Sequence, residues 1–300
     1  MLIDVRKNVL ELTPDYSSWV DRVSRKVFSS DTGSLGACLN IQQVQMLESL
    51  RKNKFNIIKS PRQIGVTTMV FMNTAYNVLY GQDNVDVSVT EDKNCKGDKE
   101  VEYSELYIYS TFNSARDSMK RFEKILDMCE EKIYLLENDT FSMKLRFGDR
   151  VSVIRFIPED FVKKGVPMCD RITVDNAAFV SEDTMNRIPG LSRDFNCNVT
   201  IASTPRKESG FFYELWKETL YGRGCFKPTA LKWYLDNRFN KNLNGTEGLA
   251  SYDASDIGMM FEALERGDYL SNEWYKERKE ALGSSWVNEL DGNFADRWNS

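Results

Sequence analysis

Residues 55–68 read FNIIKSPRQIGVTT, and this stretch decides the fold of the chain. The apolar run Phe55–Ile58 predicts a buried strand, and the run that begins at Thr67 predicts the start of a helix. A strand, a loop and a helix start in this order bring backbone N–H groups together where they can bind an anion. The stretch therefore predicts a phosphate-binding loop.

The loop fits the phosphate-loop pattern G-x-x-x-x-G-K-[ST] only in part. Gly65 matches the second glycine, and Thr67 supplies the hydroxyl that such loops place on Mg²⁺. Ser60 stands in place of the first glycine, and Val66 stands where the lysine is expected. A phosphate site here therefore needs its positive charge from other residues.

Two cations next to the loop can supply that charge. Lys59 precedes the loop on the strand side, and the forked guanidinium of Arg62 suits phosphate oxygens. The alternative interpretation is a surface turn with two solvated cations, but it does not explain why residues 65–68 run directly into an apolar helix. The candidate nucleotide-binding residues of this stretch are Lys59, Ser60, Pro61, Arg62, Gln63, Ile64, Gly65, Val66, Thr67 and Thr68.

Composition limits the class of protein. The 300 residues suffice for one large domain, and a net charge of -5 argues against a strongly basic nucleic-acid binder. The six cysteines are scattered, so we interpret them as reduced thiols of a cytosolic protein and not as zinc ligands or disulfides. The chain has no histidine, which excludes Ser-His and Cys-His triads. Its chemistry must use carboxylates, hydroxyls, cations and a bound metal.

Apolar patterns along the chain predict an α/β fold with a mainly parallel central sheet flanked by helices, in which ligands bind at the carboxyl ends of strands. The predicted helices are Tyr16–Phe28, Ile41–Leu50, a helix after the loop, Ser114–Glu131 and a helix between Ser271 and Trp298. The further predicted strands are Leu106–Ser110, the hairpin Ser142–Phe147 with Val151–Phe156, Arg171–Asp175 and Asn198–Ser203.

These elements divide the chain into three parts. Residues 1–40 are expected to form an N-terminal lead-in, and residues 41–235 the core. The polar, charged segment at about 81–105 predicts an exposed insertion in that core. Residues 236–300 are expected to form a C-terminal helical subdomain or linker.

Candidate catalytic residues stand near the ends of the predicted strands. Asp175 closes an apolar strand, where a carboxylate can hold Mg²⁺, although a strand-end Asp can also be a turn residue. Asn176 follows at the position of an expected glutamate; it can orient a water molecule but cannot accept its proton. Ser203 and Thr204 could sense a γ-phosphate. Gln43, ahead of the loop, could read an adenine edge or lie on a solvated helix face.

The ordered set of motifs resembles the large terminase subunit of tailed bacteriophages, specifically its N-terminal packaging ATPase domain. The resemblance runs from about Ile41 to Phe294. It rests on Gln43, the loop at 60–68, VKKG at 162–165, ITVDNAAF at 172–179, STP at 203–205, GFFYELW at 210–216 and ELDGNF at 289–294.

This resemblance implies an ASCE-type P-loop motor that hydrolyses ATP with Mg²⁺ and drives double-stranded DNA into a procapsid. Lys59 is placed like the loop lysine of family members that carry it on the N-terminal side. Lys163 and Lys164 stand in place of a second arginine, so Lys163 or Lys164 is expected to act across a subunit boundary, with Lys164 as the candidate catalytic residue. By resemblance, Gln43 matches the adenine-reading glutamine, Thr67 and Asp175 the metal ligands, Arg62 the loop arginine, and Ser203, Thr204 and Pro205 the coupling motif.

The same resemblance implies the partners and the location. The partners are double-stranded DNA, the portal protein and procapsid, and the small terminase subunit, with a homo-oligomeric ring on assembly and no membrane. The location is the bacterial host cytoplasm, with transient docking on the viral procapsid. The family's nuclease domain would begin after about Phe294 and is absent from this chain.

Two alternatives stay open at this point. Asn176 favours a nucleotide-binding, poorly hydrolysing structural or regulatory subunit of the same kind of assembly, unless Glu182 or Asp183 supplies the missing carboxylate. The other alternative is an unrelated helicase-like P-loop ATPase, for which the sequence shows no further motifs.

Overall fold

The fold is built on an eight-stranded sheet in a computed structural model that describes residues 14–32, 39–81, 101–236, 273–289 and 291–294. The strands are β1 (Phe55–Lys59), β2 (Val101–Tyr109), β3 (Tyr134–Asn138), β4 (Ser142–Phe147), β5 (Arg150–Pro158), β6 (Arg171–Asp175), β7 (Asn198–Ser203) and β8 (Lys227–Ala230). Their order across the sheet is β3-β4-β5-β2-β6-β7-β1-β8. The strands from β5 to β8 in this order are parallel, and β3 and β4 are antiparallel. The predicted mainly parallel α/β sheet is confirmed.

Helices cover both faces of this sheet. They are α1 (Pro14–Thr32), α2 (Ile41–Lys52), α3 (Val66–Tyr80), α4 (Phe112–Met128), α5 (Glu159–Val162), α6 (Glu182–Phe195), α7 (Phe211–Leu220), α8 (Glu273–Leu282) and α9 (Trp286–Glu289), with short 3-10 turns at Ala177–Phe179, Trp233–Leu235 and Gly283–Ser285. None of the helices within the described ranges is long and apolar enough to cross a membrane.

The core has one apolar layer on each face of the sheet because side chains alternate along each strand. Ile57 belongs to the apolar cluster that contains Trp216 of α7, whereas Ile58 belongs to the cluster that contains Phe71 of α3. Helix α3 is buried at every position from Thr68 to Leu79, which explains why apolar residues occur on all of its faces. The helix that follows the loop is therefore the central helix of one layer.

Strand register brings the candidate site together at one edge of the sheet. Strand β7 lies between β6 and β1, with Ser203 beside Lys59 and Ala202 beside Asp175. Because these strands are parallel, their carboxyl ends and the loops that follow them meet at the same edge. The phosphate loop, Asp175 and the turn after β7 are consequently neighbours.

The prediction of an exposed insertion at about 81–105 is wrong at the C-terminal end of that range. Strand β2 begins at Val101, and Glu105 is completely buried between β5 and β6. The polar residues at 101–105 suggested a surface segment, but they make buried hydrogen bonds. Residues 82–100 lie outside the described part of the chain.

Other helix and strand boundaries also differ from the predicted ones. The helix expected at Ser114–Glu131 is α4, which begins at Phe112 because Thr111 caps it and ends at Met128. Strand β3 was not predicted, since all five of its residues are exposed and lack an inward-facing apolar pattern. Within the C-terminal part, α8 and α9 occupy the region of the expected helix, and residues 237–272 lie outside the described ranges.

A buried carboxylate joins the loop helix to the sheet. Glu105 on β2 accepts hydrogen bonds from the Oγ1 atoms of Thr74 on α3 and Thr173 on β6, both at 2.8 Å, and from the hydroxyl of Tyr103. Thr74 Oγ1 also lies 2.6 Å from the hydroxyl of Tyr107. This network fixes α3 against the strand that ends at Asp175.

We expect Glu105→Ala to lower the free energy of unfolding by about 3–5 kcal/mol, because it removes the buried acceptor of the Tyr103 and Thr173 hydroxyls and leaves Thr74 with its weaker bond to Val70 O. Urea denaturation measures the change. Glu102→Ala on the same strand is the matched control, since Glu102 is exposed and its pair with Arg150 at 3.6 Å is worth about 0–1 kcal/mol. Equal losses in the two variants would contradict a structural role for the network.

Candidate nucleotide-binding site

The loop between β1 and α3 has the backbone of an anion site. Gln63 and Gly65 lie in the left-handed region, with φ of 66° and 89°, and α3 begins at Val66 directly afterwards. Gly65 adopts this conformation without a Cβ penalty, whereas Gln63 depends on its surroundings to hold it. The turn thus delivers the chain to the N-terminus of α3, where backbone N–H groups favour a phosphate.

Thr67 and Asp175 meet at the centre of the site. The Oγ1 atom of Thr67 donates to Oδ2 of Asp175 at 2.8 Å, and Asp175 Oδ1 accepts the backbone N–H of Asn176 at 2.9 Å. Burial raises the pKa of Asp175, while the bonds from Thr67 and Asn176 oppose that shift. Asp175 is 7% exposed and thus lies at the bottom of the site.

This pair fits a magnesium ion. A hydroxyl and a carboxylate are hard oxygen ligands, and Mg²⁺ takes the rest of its shell from water and phosphate oxygens. The described residues hold no cluster of three or more His, Cys, Asp or Glu side chains, and a phosphate-loop site needs none. The donor set is therefore the one expected for Mg²⁺ with a nucleotide.

Asn176 occupies the position after Asp175 in a left-handed conformation, with φ of 57°. Its side chain is exposed, and its carbonyl accepts the N–H of Phe179 at 2.9 Å. Among the two acids considered as substitutes, Asp183 is 57% exposed at its side chain and lies 3.6 Å from Lys163 and 3.7 Å from Arg187. Asp183 therefore forms ion pairs with Lys163 and Arg187. A role for Asp183 as the general base of hydrolysis stays a prediction.

Ser203 connects two strand ends. Its Oγ accepts the backbone N–H of Ala178 at 3.0 Å and donates to the carbonyl of Thr204 at 2.9 Å. The turn after β6 and the loop after β7 are therefore tied together next to the Thr67–Asp175 pair. A γ-phosphate contact by Ser203 or Thr204 stays a prediction.

Gln43 supports the phosphate loop, a role that the sequence interpretation missed. Its Nε2 donates to the carbonyl of Ile64 at 2.9 Å, and its Oε1 accepts the N–H of Asn40 in the capping box of α2. The side chain is 2% exposed. The pattern N-x-x-Q before an apolar helix was the available signal for the cap. Adenine reading by Gln43 stays a prediction.

Lys59 lies between aromatic rings on the α7 side of the sheet. Its Nζ is 5.3 Å from the ring centre of Trp216 and 5.4 Å from that of Phe294. Burial, with a smaller effect of nearby Lys232, lowers the pKa of Lys59 to about 8. This position does not test the contact with a phosphate predicted for Lys59, and that contact stays a prediction.

We expect the stability of the protein relative to Lys59→Met to rise with pH. The folded-state pKa of Lys59 is about 8 against an ordinary 10.5, so the folded chain binds fewer protons than the unfolded chain between these two pH values. The cost of burying the charged Lys59 is therefore complete below pH 8 and disappears as the pH rises from 8 to 10.5. Urea denaturation at neutral and alkaline pH measures the difference. The exposed Lys124→Met is the control. A pH-independent difference for Lys59→Met would refute the shift.

Arg62 and the lysine pair are exposed. The side chain of Arg62 is 54% exposed, and its Nη1 lies 3.7 Å from Oε2 of Glu289. Lys163 and Lys164 follow α5, and Lys164 Nζ lies 5.0 Å from the ring centre of Phe161. Exposed side chains can contact a ligand or a neighbouring molecule. The phosphate contact of Arg62 and the action of Lys163 or Lys164 across a subunit boundary stay predictions.

The sheet order, the loop and the Thr67–Asp175 pair define a P-loop fold of the ASCE type. More particularly, the chain has the fold of bacteriophage large terminase ATPase domains. That of Thermus phage P74-26 is 14% identical with a TM-score of 0.56, and the match covers 91% of this chain and 99% of that one. The HK97 bacteriophage large terminase is 11% identical with a TM-score of 0.55, covering 91% and 55%. The large terminase from a thermophilic bacteriophage, solved in complex with ADP, is 11% identical with a TM-score of 0.52, covering 68% and 48%.

The chain spans about half the length of the last two of these large terminases. No protein-family model matches the sequence, and no curated protein matches it. The resemblance inferred from the ordered motifs is thereby confirmed at the level of the fold.

Proposed function

We propose that this chain is the ATPase motor domain of a viral terminase large subunit and couples ATP hydrolysis to the packaging of double-stranded DNA. The observation that carries the proposal is the 2.8 Å hydrogen bond between Thr67 and Asp175, at the edge of a sheet with the terminase ATPase fold. The large terminase from the thermophilic bacteriophage was solved with ADP and with ATP-γ-S, which supports a nucleotide ligand for this fold.

Each site residue has a defined task in this proposal. Thr67 and Asp175 hold Mg²⁺, which neutralises charge that develops on the phosphates. The backbone of residues 60–67 surrounds the phosphates, and Arg62 adds forked donors to their oxygens. Lys164 acts on a neighbouring subunit, where a point charge gives less transition-state stabilisation than an arginine would.

The proposed partners are double-stranded DNA, the portal protein on the procapsid and the small terminase subunit, with the chain in a ring in the host cytoplasm. A net charge of -5 provides little release of counterions from DNA, so isolated chains should bind duplex weakly. Affinity for DNA would then arise on assembly. The poorly hydrolysing subunit is the remaining alternative, and the terminase matches do not favour it.

Phosphate release from Mg·ATP, measured with and without double-stranded DNA, tests the proposal. We expect turnover above background that Thr67→Val abolishes, because valine keeps the shape of threonine and removes the hydroxyl. Thr219→Val is the matched control, since its Oγ1 bonds only to its own helix at Leu215 O, 2.7 Å away, among the described contacts. Turnover that Thr67→Val leaves intact would refute the assignment, and nucleotide binding without any turnover would favour the alternative.

A further inference from the structure

Two buried cysteines are neighbours at the edge of the sheet opposite the candidate nucleotide-binding site. Cys169 lies just before β6, and Cys197 lies directly before β7. The carbonyl of Asp170 accepts the N–H of Asn198 at 3.0 Å, so the two chain segments are already paired where the strands begin. Because adjacent strands lie about 4.8 Å apart, this pairing brings the two thiols within reach of each other.

The two thiols contact each other. The S–H of Cys169 donates a hydrogen bond to Sγ of Cys197, and both side chains belong to the apolar cluster that contains Trp216. The cysteines within the described ranges are free thiols. Two sulfur atoms in hydrogen-bond contact need only a small shift to reach the S–S bond length of about 2.05 Å.

The environment makes the two thiols unequal. The hydrogen bond from Cys169 lowers the pKa of Cys197; burial opposes that shift, and the positive charge of Lys54 adds a smaller lowering. Donation of the same bond, together with burial, raises the pKa of Cys169. Since the thiolate is the reactive form, Cys197 is the attacking thiol of the pair and Cys169 is its partner.

Both thiols lie just below the surface. Cys169 is 6% exposed and Cys197 is 1% exposed. The residues directly before them, Met168 and Asn196, are exposed. A local opening of either segment therefore gives a small oxidant access to the pair without unfolding of the sheet.

We propose that Cys169 and Cys197 form a reversible oxidation site, at which a peroxide converts the two thiols into a disulfide that joins the starts of β6 and β7. The Cys197 thiolate attacks one oxygen of hydrogen peroxide, the O–O bond breaks, and the products are a sulfenic acid and a hydroxide that takes up the thiol proton. The sulfur of Cys169 then attacks Sγ of Cys197, and the S–O bond breaks. The oxygen leaves as a second water with the Cys169 proton, so two electrons from the pair reduce one peroxide to two waters.

The disulfide affects stability and not the nucleotide site. It closes a loop that contains β6 and α6, and such a cross-link stabilises the fold by restricting the unfolded chain. Asp175 stands at the other end of β6, about 20 Å along the strand from Cys169. Oxidation should therefore leave the affinity for Mg·ATP-γ-S unchanged, which makes the inference independent of the proposed function.

Peroxide treatment of the unmodified chain tests the site. We expect a peptide cross-linked through Cys169 and Cys197, detected by mass spectrometry after alkylation of free thiols and non-reducing digestion. We also expect the Tm to rise by about 5 °C and to return when dithiothreitol cleaves the bond. The exposed Cys225 is the internal reference. Full oxidation of Cys225 with Cys169 and Cys197 still thiols, or a cross-link of either one to another cysteine, would overturn the proposal.

Single variants test which thiol attacks the peroxide. Cys169→Ser keeps a hydroxyl that can donate to Cys197 but removes the second thiol, so the Cys197 sulfenic acid should accumulate and react with a cyclic diketone probe. Cys197→Ser should leave Cys169 unlabelled. Cys129→Ser removes a half-buried thiol elsewhere and should retain the cross-link and the rise in Tm. Labelling of Cys169 as strong as that of Cys197, or a peroxide-dependent rise in Tm that persists in both single variants, would contradict the assignment.

Discussion

Asp175→Asn is expected to reduce ATP turnover by about 10²–10³-fold while leaving the protein as stable as before or more stable. Asparagine fills the same space, and its Oδ1 can still accept the N–H of Asn176, which lies 2.9 Å from the carboxylate. Its Nδ2 can then donate to the Oγ1 of Thr67, which lies 2.8 Å from the carboxylate. It lacks the negative charge that a carboxylate would offer to Mg²⁺ at the proposed site. The loss should therefore fall on turnover and metal-dependent binding.

The stability side of this prediction follows from the pKa of Asp175. Burial raises that pKa, so the ionised carboxylate is less favourable in the folded chain than in water. At neutral pH the Asn variant removes this unfavourable charge, and its free energy of unfolding should be equal or higher. Urea denaturation beside phosphate-release assays measures both quantities.

Asp170→Asn serves as the control for Asp175→Asn, because Asp170 lies before the other end of β6 and accepts two hydrogen bonds from Ser104. That variant should lose stability and retain turnover. If Asp175→Asn lost stability and kept turnover, Asp175 would be a structural residue and the site assignment would fail.

Asn176→Glu is expected to raise basal hydrolysis by about 10²–10⁴-fold, which is the usual contribution of general-base catalysis. Asn176 stands directly after Asp175, the proposed metal ligand, and is exposed at the edge of the site. An amide can orient the attacking water but cannot accept its proton. The unmodified chain should thus bind Mg·ATP and hydrolyse it slowly, as measured by phosphate release.

Asn176→Gln separates charge from size in this experiment, and it should remain slow. Glu182→Ala and Asp183→Ala test the nearby acids, of which Asp183 already pairs with Lys163 and Arg187. Rapid turnover of the unmodified chain that collapses only on removal of Glu182 or Asp183 would place the catalytic carboxylate there and contradict the role given to Asn176.

The parallel strands were predictable because burial on both faces leaves a plain signal. The ranges Arg171–Asp175 and Asn198–Ser203 match the structure residue for residue, since both are short apolar runs that end in polar residues. Because the carboxyl ends of parallel strands lie at the same edge of a sheet, these ranges predicted that Asp175 and Ser203 would be neighbours. The order of the motifs along the chain therefore indicated the position of the site.

The missed features depend on contacts between distant parts of the chain. Glu105 looked like part of a polar surface segment, and only its partners on α3 and β6 show that its carboxylate is buried. The bond from Gln43 to Ile64 and the contact of Glu289 with Arg62 likewise join residues that no local pattern pairs. Sequence periodicity reports the environment of a residue within its own element, so such contacts leave no signal in it.

The central claim is that Thr67 and Asp175 hold one metal ion for a bound nucleotide. The most direct test is a double-mutant cycle of Thr67→Val and Asp175→Asn, read out as the Mg²⁺-dependent affinity for ATP-γ-S. Two ligands of one ion are strongly coupled, so the double variant should bind about as weakly as the worse single variant, and chelation of Mg²⁺ should remove the differences. Losses that add independently, or that persist without Mg²⁺, would contradict the shared metal site.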